Sequence, residues 1–124
     1  MASVQFIPYS DKQILLMDFT NAKTTAEIIQ TAEEAKKIVE LYQSQSLLAL
    51  ADFSGMKIEK ERIKIIKGMA AHNRPYVKFI ALVGLGFPRS IVFRWMLRLT
   101  GRKNHRVFRK RERAIEWLGG VNGK

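Results

Sequence analysis

The chain has 124 residues and no cysteine, so one ordinary core is within reach, while disulfides, thiolate catalysis and cysteine-ligated zinc are excluded together. Its apolar fraction, 47%, is that of a globular chain and not of a disordered one. The formal net charge is +11 and is gathered late: residues 1–60 carry −2, residues 61–87 carry +4 and residues 88–124 carry +9. A basic excess confined to one segment points to an anionic partner more than to general solubility.

The opening string MASVQFIPYSDKQILL lacks the basic start and apolar run of a signal peptide, because Asp11 and Lys12 interrupt it. No stretch approaches the roughly 18 uncharged apolar residues of a spanning helix. The longest candidate, around Phe79 to Val83, is closed by Gly84 and Gly86. The expected location is the cytoplasm, with peripheral attachment to a membrane as the alternative.

Val4–Tyr9 alternates weakly and reads as a first strand, which Pro8 confines to an edge or a strand end. Gln13–Phe19, QILLMDF, is an apolar run of strand length. A helix then begins at Thr24, an N-cap residue followed three positions on by Glu27, which makes a capping box. Ile28, Ala32, Ala35, Val39 and Tyr42 recur at helical spacing, so the helix is expected to reach about Gln45.

Ser46–Phe53, SLLALADF, is continuously apolar, as a strand buried on both faces should be. A second helix is expected from Glu59 to His72, with Ile63, Ile66 and Ala70 inward and Glu61, Lys64 and Lys67 outward. Asn73-Arg74-Pro75 stops it, and Tyr76–Val83 is the next strand. Pro88 opens a third helix that runs to about Leu99. Val107-Phe108 is a short strand, and Glu112–Leu118 is a last helix that Gly119-Gly120 should stop. The order β-β-α-β-α-β-α-β-α implies a single α/β domain over residues 1–124, with a mainly parallel central sheet flanked by helices.

The strings ILLMDF, LLALADFSG and HNRPYVKFIALVG, and TGR followed by VFRKRERAIEWL, resemble in order and spacing the SpoIIAA-like branch of the STAS domain superfamily. They cover nearly the whole chain. The resemblance implies a STAS-like sheet flanked by helices and a non-enzymatic module that binds proteins, nucleotides or small apolar ligands. Some members are related in shape to CRAL-TRIO lipid-binding domains. Anti-sigma antagonists of the family carry a phosphorylatable serine in an Asp-Ser-Ser-Gly string. The nearest match is Asp52-Phe53-Ser54-Gly55, with one serine in place of two, so a phospho-switch on a sigma-factor pathway is not expected.

Asp52, Ser54 and Gly55 stand at the end of a central strand, where open α/β sheets place ligands, and could anchor a polar one. The plainer reading is turn chemistry, in which Asp and Ser bond nearby backbone N–H groups. Gly84, Gly86 and Arg89 join a strand to a helix start and form a candidate anion-binding loop, though two glycines fall short of a full phosphate-binding fingerprint. The two histidines, His72 and His105, lack partners at metal-ligand spacing, and neither a nucleophile elbow nor a cofactor motif is present, so no catalytic residue, metal or cofactor is assigned.

The third helix is apolar around about 240° of its circumference, counting 100° per residue, where an ordinary surface helix needs little more than 100°. Ile91, Val92, Trp95 and Leu99 face the sheet in that reading, and Phe93 and Leu97 point sideways. Arg94 and Arg98 share the polar strip, and Arg102 and Lys103 follow. Phe93, Arg94, Trp95, Leu97, Arg98, Arg102 and Lys103 therefore form a candidate partner or membrane surface. Coverage by the last helix competes with a homodimer or protein interface, and that with an anionic membrane. Nucleic acid is disfavoured, since no recognised binding motif accompanies the charge.

The expected function is a non-catalytic regulatory or scaffold binding module that engages a protein, a second copy of itself or a small apolar or anionic ligand. A peripheral anionic-membrane or lipid-binding protein is the alternative, and an enzyme with an unrecognised site comes third.

Overall fold

The structure, a computed structural model of the chain, describes residues 3–57, 59–84 and 104–121. Its strands are β1 (Val4–Tyr9), β2 (Lys12–Asp18), β3 (Leu47–Asp52), β4 (Val77–Val83) and β5 (His105–Phe108). Its helices are α1 (Thr25–Val39), α2 (Lys60–Asn73) and α3 (Arg111–Val121). The strands form one sheet in the spatial order β1-β2-β3-β4-β5. β1 runs antiparallel to β2, and every later neighbour is parallel. The coarse expectation, α/β with a mainly parallel sheet flanked by helices, is met.

Each strand lies where its side chains dictate. All six residues of β3 are buried, because helices cover both faces of the sheet. On one face Leu15, Met17, Ala49 and Ala51 pack with Ile28, Ala32 and Ala35 of α1 and with Ile66 and Met69 of α2. On the other, Ile14, Leu16, Leu48, Leu50 and Val83 pack with Ala114 and Leu118 of α3. Alternate residues of an apolar run thus serve opposite cores, and each large aliphatic side chain so buried contributes about 2 kcal/mol. Pro8 sits in β1 at the sheet edge, as its missing N–H requires.

α1 begins as expected. The Glu27 amide donates to Thr24 Oγ1 at 3.2 Å, and the Lys23 and Thr24 amides donate to Glu27 Oε1 at 2.7 and 3.0 Å. Those backbone bonds hold the Glu27 carboxyl below its ordinary pKa. The helix ends at Val39, short of the expected Gln45. The Leu41 and Tyr42 amides bond three residues back, to Ile38 and Val39, and so tighten the chain into a turn.

Two helix expectations need correction. The buried stripe of α2 is Arg62, Ile66, Met69 and Asn73, one residue out of phase with the expected Ile63, Ile66 and Ala70. Arg62 can be buried because its Nε donates to Thr25 Oγ1 and its Nη2 to the Lys23 carbonyl, both at 3.3 Å, while Glu59 neutralises it. Gly119 and Gly120 do not stop α3, which continues through them. A Cβ on Gly119 would collide with the Tyr9 ring, and the Gly119 carbonyl accepts from Lys12 Nζ. The expected third helix, Pro88 to Leu99, lies outside the described residues.

Candidate functional site

The parallel arrangement brings the C-terminal ends of β2, β3 and β4 to one edge, which is where the strand-end candidates meet. β2 ends Asp18-Phe19-Thr20 and β3 continues Asp52-Phe53-Ser54. The two segments fold alike. Asp18 Oδ1 accepts from the Thr20 amide at 2.9 Å and also from its hydroxyl. Asp52 Oδ1 accepts from the Ser54 amide at 3.0 Å. Phe19 and Phe53 stack between them with ring centroids 5.2 Å apart. Each aspartate therefore closes its own turn, and the turn reading of Asp52 and Ser54 describes what they do here.

The second oxygen of each acid faces Arg111, the first residue of α3. Arg111 Nε and Nη2 both lie 2.8 Å from Asp52 Oδ2, and Nη2 lies 3.6 Å from Asp18 Oδ2. Asp52 is 5% exposed at its side chain, Asp18 22% and Arg111 34%. One guanidinium thus bridges two neighbouring carboxylates that would otherwise repel each other. An arginine in a first helical turn runs against the helix dipole, and the two acids offset that cost.

Gly84 completes the edge. Its backbone has φ +74, and a Cβ there would fall on Ser54 Oγ and within 2.6 Å of the Ser54 backbone nitrogen and Cα. Its amide donates to the Phe108 carbonyl at 3.3 Å, so it joins β4 to the end of β5. Two candidates that are distant in sequence, Asp52-Ser54-Gly55 and the loop that starts at Gly84, therefore touch. Gly55, at φ +80, closes the turn that returns Met56 to the core, and a Cβ on it would meet nothing within 4 Å.

The remaining candidates, Gly86 and Arg89 of the loop and Phe93, Arg94, Trp95, Leu97, Arg98, Arg102 and Lys103 of the partner or membrane surface, lie outside the described residues. Of the later basic run, Arg106, Arg109, Lys110 and Arg113 are exposed, and Arg106 lies over the Phe108 ring at 5.6 Å. His72, in the last turn of α2, bonds Glu40 Oε2 at 2.7 Å through Nε2 and Asn73 Oδ1 at 2.9 Å through Nδ1. By the topology it belongs to the opposite edge of the sheet. Among the described residues no group of three His, Cys, Asp or Glu side chains is placed to hold a metal. Likewise, no described helix is long and apolar enough to cross a membrane.

Asp18, Thr20 and Arg111 are the site residues that sequence reasoning missed. The repeated Asp-Phe-Thr and Asp-Phe-Ser at successive strand ends was the available signal. Nothing distinguished Arg111 among its basic neighbours. No protein-family model, curated protein or solved structure matches this chain.

Proposed function

We propose that the chain is a non-catalytic binding module of the STAS-like type, a regulatory or scaffold element that engages a protein, a second copy of itself or a small apolar or anionic ligand. One observation carries this reading: at the strand ends, where α/β enzymes keep reactive groups, both oxygens of Asp52 are already engaged by the Ser54 amide and by Arg111. Both oxygens are taken up by structural bonds, and the partner cation is likewise occupied. The edge is built to be rigid, which suits recognition.

Light scattering and native mass spectrometry of the purified chain test this. The expected result is a dimer population or a bound small molecule. A bare monomer that hydrolyses p-nitrophenyl acetate or phosphate, and loses that activity in Asp52→Asn, would sink the proposal.

The exposed Arg106, Arg109, Lys110 and Arg113 favour keeping an anionic membrane as the second reading. Co-sedimentation at low salt with vesicles containing anionic lipid checks it, and binding no greater than to neutral vesicles removes it.

A further inference from the structure

The face of the sheet that carries α1 and α2 is not filled evenly. Between α2 and β4 lies a cavity of about 60 Å³, walled mainly by Met17, Phe53, Ile66 and Met69. Three of its lining residues are polar: Asn73 from the end of α2, the exposed Arg74 that follows it, and Asn104 just before β5. Asn73 is 4% exposed. Its Oδ1 accepts from His72 Nδ1, an orientation that holds with hydrogen on both ring nitrogens because Nε2 donates to Glu40, and its Nδ2 is then buried without a hydrogen-bond partner. Asn104 is the converse: its Nδ2 donates to the Lys78 carbonyl at 2.8 Å, and its Oδ1 is buried without a partner. That bond fixes which end of the Asn104 amide is the acceptor. Buried polar groups in folded proteins are nearly always paired, so one idle donor and one idle acceptor on the wall of one apolar cavity call for an explanation.

We propose that this cavity binds a slender, mainly apolar molecule that ends in a neutral amide, whose carbonyl accepts from Asn73 Nδ2 and whose N–H donates to Asn104 Oδ1. The volume selects the shape. An apolar cavity of about 150 Å³ takes a benzene ring, so this one takes an amide head and its first carbons, with the rest of an unbranched chain leaving by the open side. The lining selects the charge. A carboxylate has no N–H for Asn104 Oδ1 and would set one acceptor oxygen against another there, even with Arg74 at the rim. Met17 and Met69 adapt their shape to such a chain at small cost. This inference rests on the binding-module reading only in taking the ligand as held and not transformed.

Hexanamide is the test ligand, added to the full chain while the methyl resonances of Met17 and Met69 and the side-chain amide resonances of Asn73 and Asn104 are followed by NMR. Saturable shifts of all four are expected. Hexanenitrile, an acceptor of like length with no donor, and hexanoate at neutral pH should each bind at least about tenfold more weakly. Asn104→Leu should abolish the preference for the amide, and Ala70→Leu, which fills the cavity from α2, should abolish binding in a protein whose circular dichroism is unchanged. The proposal is overturned if millimolar hexanamide leaves the methyl resonances unmoved. It is equally overturned if the nitrile binds as well as the amide, or if only ordered water is found between the two asparagines in its presence. Recovery of intact hexanamide keeps the binding-module reading, whereas its hydrolysis would support the cavity and overturn that reading.

Discussion

The edge where β2, β3 and β4 end and the cavity beneath α2 use the same kinds of atoms in opposite ways. At the edge, two carboxylates sit within reach of one guanidinium, and both oxygens of the buried acid are engaged. Under α2, two neutral amides each leave one buried atom idle. The edge contains the groups that reasoning from residue type would nominate for chemistry, and they are occupied with holding α3 onto β2 and β3. The cavity contains residues that reasoning from residue type would pass over, and they are the ones that lack a partner. Charge marks where a fold is tied together as readily as where it works, while an unpaired buried atom has no structural use to explain it.

The sharpest way to break that comparison is Asp52→Ala. It removes one side of a buried pair, leaves Arg111 with the more distant Asp18 as its acid partner among the described residues, and opens the Ser54 turn. Chemical unfolding should show a loss of about 3 kcal/mol, the lower end for a buried pair because Arg111 keeps 34% exposure. A loss under 1 kcal/mol would mean that the edge is not tied through Asp52. Gly84→Ala should cost about 2 kcal/mol in the same assay, since φ +74 and the Ser54 backbone both reject a Cβ. Ser54→Ala should not rescue it, because the collision is with backbone as well as side chain.

The cavity should answer differently. Asn73→Leu removes an idle donor along with one bond to a partly exposed histidine, so stability should move by about 0.5 kcal/mol or less in either direction. A loss of 2 kcal/mol would show that Asn73 is structural. Glu27 supplies the smallest effect and calibrates a satisfied carboxylate in water. Its pKa is lowered on folding, so its contribution is full above the ordinary carboxylate value and fades as pH falls through the lowered one. The stability difference between the wild type and Glu27→Gln should therefore be present at neutral pH and vanish in acid. A difference that persists in acid would assign the effect to something other than the charged cap.

The elements were legible where local rules and burial agree. The capping box of Thr24 and Glu27 set the start of α1, and the unbroken apolar run of β3 announced a strand covered on both faces. The phase of α2 departs from its apolar pattern because a charged residue, Arg62, occupies a core position, held there by Thr25 and Lys23, distant in sequence, and by Glu59. Asn73 looked like a stop signal and is instead the last buried residue of the helix. Gly119-Gly120 reads locally as a terminator, whereas Gly119 is set by the space that Tyr9, far away in sequence, occupies beside it. Half of the strand-end site was legible at Asp52, Ser54 and Gly84. The other half, Asp18 and Arg111, depends on which strands pair and on which helix lies across them, and no local pattern encodes that.

The position of α3 has a consequence for how the protein is made. Among the described residues, α3 alone covers the face formed by Ile14, Leu16, Leu48 and Leu50. Those strand residues leave the ribosome early, and the helix that shelters them leaves about sixty residues after β3. During vectorial synthesis the α1 and α2 side can settle first, while the opposite face of the same strands stays open to chaperones and to other nascent chains. Arrival of Arg111 would then close that face and neutralise the paired aspartates in one event, so a ribosome stalled before residue 111 should hold a chain with one finished side and one adhesive one.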